Sequence, residues 1–134
     1  MRAAVVAAVV SGAPSTAYSL AAGRDPLEAT KAAGTLVLGE DAPPWAVVLA
    51  AAPVHFAISL FWGAILERAL PARNRAALGA AGGLAIAAFD PGVIGRRYPA
   101  IRRLPLLPQL ADHAVFGAVV GALSGGSRSR SSRS

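Results

Sequence analysis

Apolar and polar positions alternate along this chain in long blocks rather than in the short periods of an amphipathic soluble fold. Residues 3–23 and 42–66 carry no charged side chain, residues 76–95 carry only Asp90, and residues 104–126 only Asp112. A helix rises about 1.5 Å per residue, so about 20 residues cover the roughly 30 Å hydrocarbon core of a bilayer. The pattern predicts four membrane-spanning helices in an all-α bundle. Between the first two blocks, Asp25-Pro26-Leu27-Glu28 reads as a helix start: Asp as cap, Pro in the first turn, Glu closing a capping box. That shorter helix runs to about Leu38, stops at Gly39, and lies in the membrane interface or folds back on the bundle. Residues 1–126 form a single transmembrane domain, and the Ser/Arg stretch 127–134 is a disordered tail.

Composition favours the same picture. The chain has 134 residues, of which 54% are hydrophobic, and four such helices in succession leave too little polar surface to clothe a soluble globule. The alternative is a soluble Ala-rich bundle in which these helices are buried core. The first block can also be read as a signal peptide, with Met1-Arg2 ahead of an apolar core and Ser11-Gly12-Ala13 as the small-residue stretch. Pro14 and the renewed apolar run at 17–22 favour a retained helix kinked near Pro14.

Charge sets limits on partners. The net charge of +6 comes from 12 Arg and one Lys against seven carboxylates. The arginines fall between and after the apolar blocks, where they set topology and meet lipid headgroups, and no nucleic-acid motif accompanies them. Arg96, Arg97, Arg102 and Arg103 make the most basic loop and are the expected headgroup contacts. Four spans place Arg2, Arg68, Arg73, Arg75, Arg128, Arg130 and Arg133 on one side. Arg24, Lys31 and the four loop arginines then lie on the other. The balance leans towards both termini in the cytoplasm. A re-entrant third segment, turning at Asp90-Pro91-Gly92, would instead put both Arg-rich loops on one side. Trp45 sits where an interfacial aromatic anchor is expected.

Gly79 and Gly83, with Ala87 next in the stripe, and Gly117, Gly121 and Gly125 repeat at four-residue steps, the spacing that lets membrane helices pack closely or dimerise. Ionisable groups at membrane depth are the candidates for function. His55 is in line with Ser59 and Trp62 on the second span; Asp90 closes the third; Asp112 and His113 open the fourth. The two Asp residues are expected near one membrane face, pairing with the loop arginines or capping helix ends. His55 is expected to bond a neighbouring helix, with proton relay as its functional alternative. A haem or metal site from His55 and His113 is a further alternative; otherwise no cofactor is implied. The chain has no Cys, and no HExxH, phosphate loop or Ser–His–Asp spacing is present, so no catalytic residue is assigned.

The segments Asp90-Pro91-Gly92-Val93-Ile94-Gly95-Arg96-Arg97-Tyr98-Pro99-Ala100-Ile101-Arg102, Leu104-Pro105-Leu106-Leu107-Pro108-Gln109 and Ala111-Asp112-His113 with Phe116-Gly117 resemble a group of small multi-pass bacterial membrane proteins. Gly12-Ala13-Pro14-Ser15-Thr16 and the His55, Ser59, Trp62 stripe are similar to the same group. The resemblance implies a bacterial membrane protein and brings no activity with it. The reading is therefore a non-enzymatic membrane protein acting on lipids, on itself as a homo-oligomer, or on a membrane protein partner. A small oligomeric transporter or proton-coupled carrier is the alternative.

Overall fold

The computed structural model describes residues 1–125, with the backbone alone for Asp90 and Pro91; the expected tail lies outside the described residues. All regular structure among them is helical: α1 (Arg2–Val10), α2 (Ala13–Ala21), α3 (Glu28–Leu38), α4 (Pro44–Ala69) and α5 (Arg75–Phe89). A π-helical turn (Asp90–Ile94), α6 (Gly95–Arg97), α7 (Pro99–Arg102) and α8 (Leu106–Ser124) follow. Four stretches are long and apolar enough to cross a membrane: Arg2–Ala21, Pro44–Ala69, Arg75–Arg97 and Leu106–Ser124. This is the fold of a multi-pass membrane helical bundle with a short additional helix.

The first span is one helix broken in two. The break falls at Ser11–Gly12, just ahead of Pro14, which occupies the first turn of α2. A Pro there sacrifices no hydrogen bond, because the first amides of a helix have no internal partner.

The third span does not turn back at Asp90-Pro91-Gly92. The helix widens into the π turn and continues through Gly95–Arg97, so the expected interruption is a bulge rather than a re-entrant loop. A π turn shifts the hydrogen-bond register, which accommodates the donor missing at Pro91.

The α3 start differs in detail from a capping box. Leu27 occupies the cap position, and Asp25 Oδ1 instead accepts the Leu27 N–H at 2.9 Å. Glu28 is drawn to Arg24, with bonds of 3.0 and 2.7 Å, so its carboxylate does not reach back to close the box. The helix ends as expected at Gly39, whose φ of 80° favours glycine. It packs on the start of α4, where a Cβ on Gly34 would come within 1.8 Å of the Val47 carbonyl oxygen.

Two ends of the bundle are defined by contacts. The Met1 ammonium pairs with Glu67 at 3.1 Å, and Arg75 reaches Ser124, so the start of α1, the end of α4, the start of α5 and the end of α8 meet. The other end carries Trp45, which is exposed at the start of α4, with α3 and the arginine loop. The apolar core is built from Ala7, Leu66, Leu70, Ile86, Phe116 and Val120, with Trp62 and Val119 against it. Gly63 lets α1 in close: a Cβ there would stand 2.4 Å from the Ala4 methyl.

Candidate functional site

The seam between α5 and α8 shows what the glycine repeats do. A Cβ added at Gly79 would lie 2.1 Å from the Gly117 carbonyl oxygen, and one at Gly117 would lie 1.9 Å from that of Gly79. Gly83 meets the His113 carbonyl and Gly121 the Arg75 carbonyl in the same way. No side chain fits at these separations, so the backbones touch directly and dispersion and Cα–H···O contacts hold the pair. The stripes therefore close an antiparallel hairpin within one chain. They are occupied in the monomer and are not a free dimerisation face. Gly125 lies beyond the tight seam: a Cβ there would meet Arg75 Cδ at an ordinary 3.6 Å.

The break in the first span gathers the polar groups. A helix end leaves carbonyls and amides without internal partners, and in an apolar setting these must be bonded by something else. At the end of α1, His55 Nε2 from α4 lies 2.8 Å from the Ala8 carbonyl oxygen. A carbonyl only accepts, so the imidazole carries its proton on Nε2 when it makes this bond. At the start of α2, the Ser15 N–H donates to Asp112 Oδ1 from α8 at 2.9 Å. The carboxylate thus meets the positive end of the α2 dipole. Ser15 Oγ and Thr16 Oγ1 donate to the Gly12 carbonyl at 3.1 and 2.9 Å, which ties the start of α2 to itself.

His55 from α4 and Asp112 from α8 thus meet the two sides of the same break, with His113 next to Asp112 in the chain. Ser59, one turn along α4 from His55, is buried, and Trp62 stacks edge-on to Phe89 with centroids 6.0 Å apart. His113 Nδ1 is 2.8 Å from the carbonyl oxygen of Gln109, its own preceding turn. The expected pairing of Asp112 with the loop arginines is replaced by the Ser15 amide. Arg103 instead reaches Glu40 at 3.4 Å, and Arg96, Arg97 and Arg102 are exposed. Asp90 lies in the π turn at the far end of α5, and its side chain is outside the described residues. His55 Nε2 and His113 Nδ1 both face backbone carbonyls rather than each other. Among the described residues no three His, Cys, Asp or Glu side chains are grouped to hold a metal ion.

Arg75 is the residue that sequence reasoning missed. Counted among the loop cations, it is 8% exposed and caps α4. Its Nη1 donates to the carbonyls of Leu70 (2.6 Å) and Pro71 (3.2 Å), and its Nη2 to the Glu67 carbonyl and Ser124 Oγ, both at 3.2 Å. A guanidinium suits a helix C-terminus, where the dipole is negative and carbonyls lack partners. Nothing in its position in the sequence distinguishes it from Arg73.

Comparison with protein-family models, with curated proteins and with solved structures found no match.

Proposed function

We propose that the chain is a non-enzymatic multi-pass protein of the bacterial cytoplasmic membrane, with both termini in the cytoplasm, that acts through its outer helix faces on lipids or a membrane protein partner. The observation that carries this reading is how little of each span is used internally. In α4 only 17% of the most apolar window is buried, and Leu49, Phe56, Ile58, Phe61 and Ile65 point outwards. The resemblance to small bacterial membrane proteins supports the compartment. The inward polar groups His55 and Asp112 are spent on the main chain of the first span, a structural use. A photo-reactive residue in place of Phe61, activated in native membranes, tests the reading. Crosslinks to lipid or to a discrete protein support it. Solute or proton flux by the purified protein in liposomes, lost in His55→Ala, would overturn it.

That second outcome is the carrier reading, and the broken first span favours it specifically. Discontinuous helices whose inner ends face the bundle interior are one way membrane proteins build midplane ion sites, and ionisable side chains at that depth accompany ion pathways.

A further inference from the structure

The charges at the end of the bundle that carries α3 divide into two groups. Those around the open cleft between α3 and α7 are matched with one another: Lys31 pairs with Asp25, Arg24 with Glu28 at 2.7 Å, and Arg103 with Glu40 at 3.4 Å. The second group is unmatched. Residues 91–111 contain four arginines and no carboxylate. Arg96, Arg97 and Arg102 are exposed, and unlike Arg103 they make no hydrogen bond or ion pair with any described residue. Their backbone is nevertheless held. Tyr98 is extended, with φ −123° and ψ 96°, and separates α6 from α7 while its N–H donates to the Ile94 carbonyl at 2.9 Å. The Arg103 N–H closes α7 on the Pro99 carbonyl at 3.1 Å, and α7 packs against α3.

Apolar neighbours set the depth of these arginines. Val93, just before α6, and Leu106 and Leu107, at the start of α8, are exposed, and they belong to the third and fourth spans. In a bilayer the leucines then face hydrocarbon, and the guanidiniums stand level with the phosphates. We propose that the α6–α7 segment binds anionic phospholipid, with the phosphate ester on Arg96, Arg97 and Arg102 and the acyl chains against Leu106 and Leu107. A guanidinium is always charged and offers a phosphate two parallel N–H donors. The fixed backbone lowers the ordering cost of binding. A zwitterionic headgroup adds an ammonium that three unmatched cations repel, and a free phosphate gains nothing from the exposed leucines. The proposal rests on the membrane reading above and names the lipid class. Lipid crosslinks at position 61 do not depend on headgroup charge, so the two fail separately.

The test uses the purified full chain in neutral detergent, with phosphatidylglycerol and phosphatidylcholine of matched chains labelled on the acyl tail. Energy transfer from the tryptophans to the label reads binding. Arg96, Arg97 and Arg102 hold no other group, so their removal leaves nothing unsatisfied, and variants that keep the parent's elution profile are compared. Arg2 and Arg73, also exposed, lie at the Met1 end, so Arg2→Gln/Arg73→Gln is the control of equal charge for Arg96→Gln/Arg102→Gln. The parent should bind phosphatidylglycerol more tightly than phosphatidylcholine. The loop pair should weaken phosphatidylglycerol binding by about fivefold for each arginine, and the control pair should leave it nearly unchanged. Inorganic phosphate in excess should displace no more lipid than chloride of equal ionic strength. Equal affinity for the two lipids, equal losses in the two variants, or specific displacement by inorganic phosphate would overturn the proposal.

Discussion

Asp112 and Ser15, separated by 97 positions in the chain, are joined by a 2.9 Å hydrogen bond from the Ser15 backbone amide to the Asp112 carboxylate. The contact ties α8 to the start of α2, across a break in the first span, and its counterpart ties His55 of α4 to the end of α1. Two helices thus supply from outside what the broken helix cannot supply to itself.

Removing either group should loosen the first span. Hydrogen bonds between membrane helices contribute about 0.6 kcal/mol on average and up to about 1.7. His55→Ala and Asp112→Leu should each cost about 1 kcal/mol or slightly more, read by titration with a denaturing detergent. Asp112→Asn retains an acceptor oxygen and should cost much less than Asp112→Leu. Equal losses from Asn and Leu would show that the Ser15 bond is not what Asp112 contributes.

The glycine seam should be intolerant of even one methyl. Gly79→Ala and Gly117→Ala place a Cβ about 2 Å from a backbone oxygen, so α5 and α8 must separate. Overpacking of this kind costs about 1–3 kcal/mol. Gly92→Ala, with nothing within 4 Å, is the matched control and should be neutral. Stability in detergent distinguishes them, and because the seam is internal, the oligomeric state should not change.

How much of this was legible in the sequence follows from the range of the interactions. The four spans, the Gly39 stop and the packing role of Gly79, Gly83, Gly117 and Gly121 rest on local composition and spacing, which a single chain displays. The partner of the glycine stripes did not follow from spacing, because the same repeat serves a dimer or a hairpin. His55 bonding a neighbouring helix was the expectation, but which helix depended on where the first span breaks. Asp112 was expected beside the arginines, and the nearer unpartnered amide of Ser15 won it. Gly34 and Gly63, which admit Val47 and Ala4, stand in no repeat and gave no signal.

Arg75 should behave as a buried cap rather than a surface cation. Arg75→Ala leaves the carbonyls of Glu67, Leu70 and Pro71 without their donor and should cost about 2–3 kcal/mol. Arg73→Ala should be nearly silent. Arg75→Lys should recover only part of the loss, since an ammonium cannot span four acceptors set by a planar fork.

At the membrane face, Asp25 is held below the usual carboxylate range, chiefly by its hydrogen bond to Lys31 and then by the Leu27 amide. A depressed carboxylate stabilises the folded form above its unfolded value, and the contribution is lost as pH falls through the folded value. Acidification should therefore fray the start of α3 only below the ordinary Asp range. NMR titration of Asp25 should give a low midpoint that rises in Lys31→Ala; the group is exposed, so the effect on global stability is small.

Four spans would return the chain to the membrane face it started from. The cysteine-free sequence allows the most direct measurement, labelling of single cysteines by a membrane-impermeant maleimide on sealed vesicles of known orientation. Thiols at positions 1, 73 and 125 should label from one face, and thiols at positions 41 and 100 from the other. Labelling of positions 73 and 100 from the same face would contradict this, because the third span would then not cross.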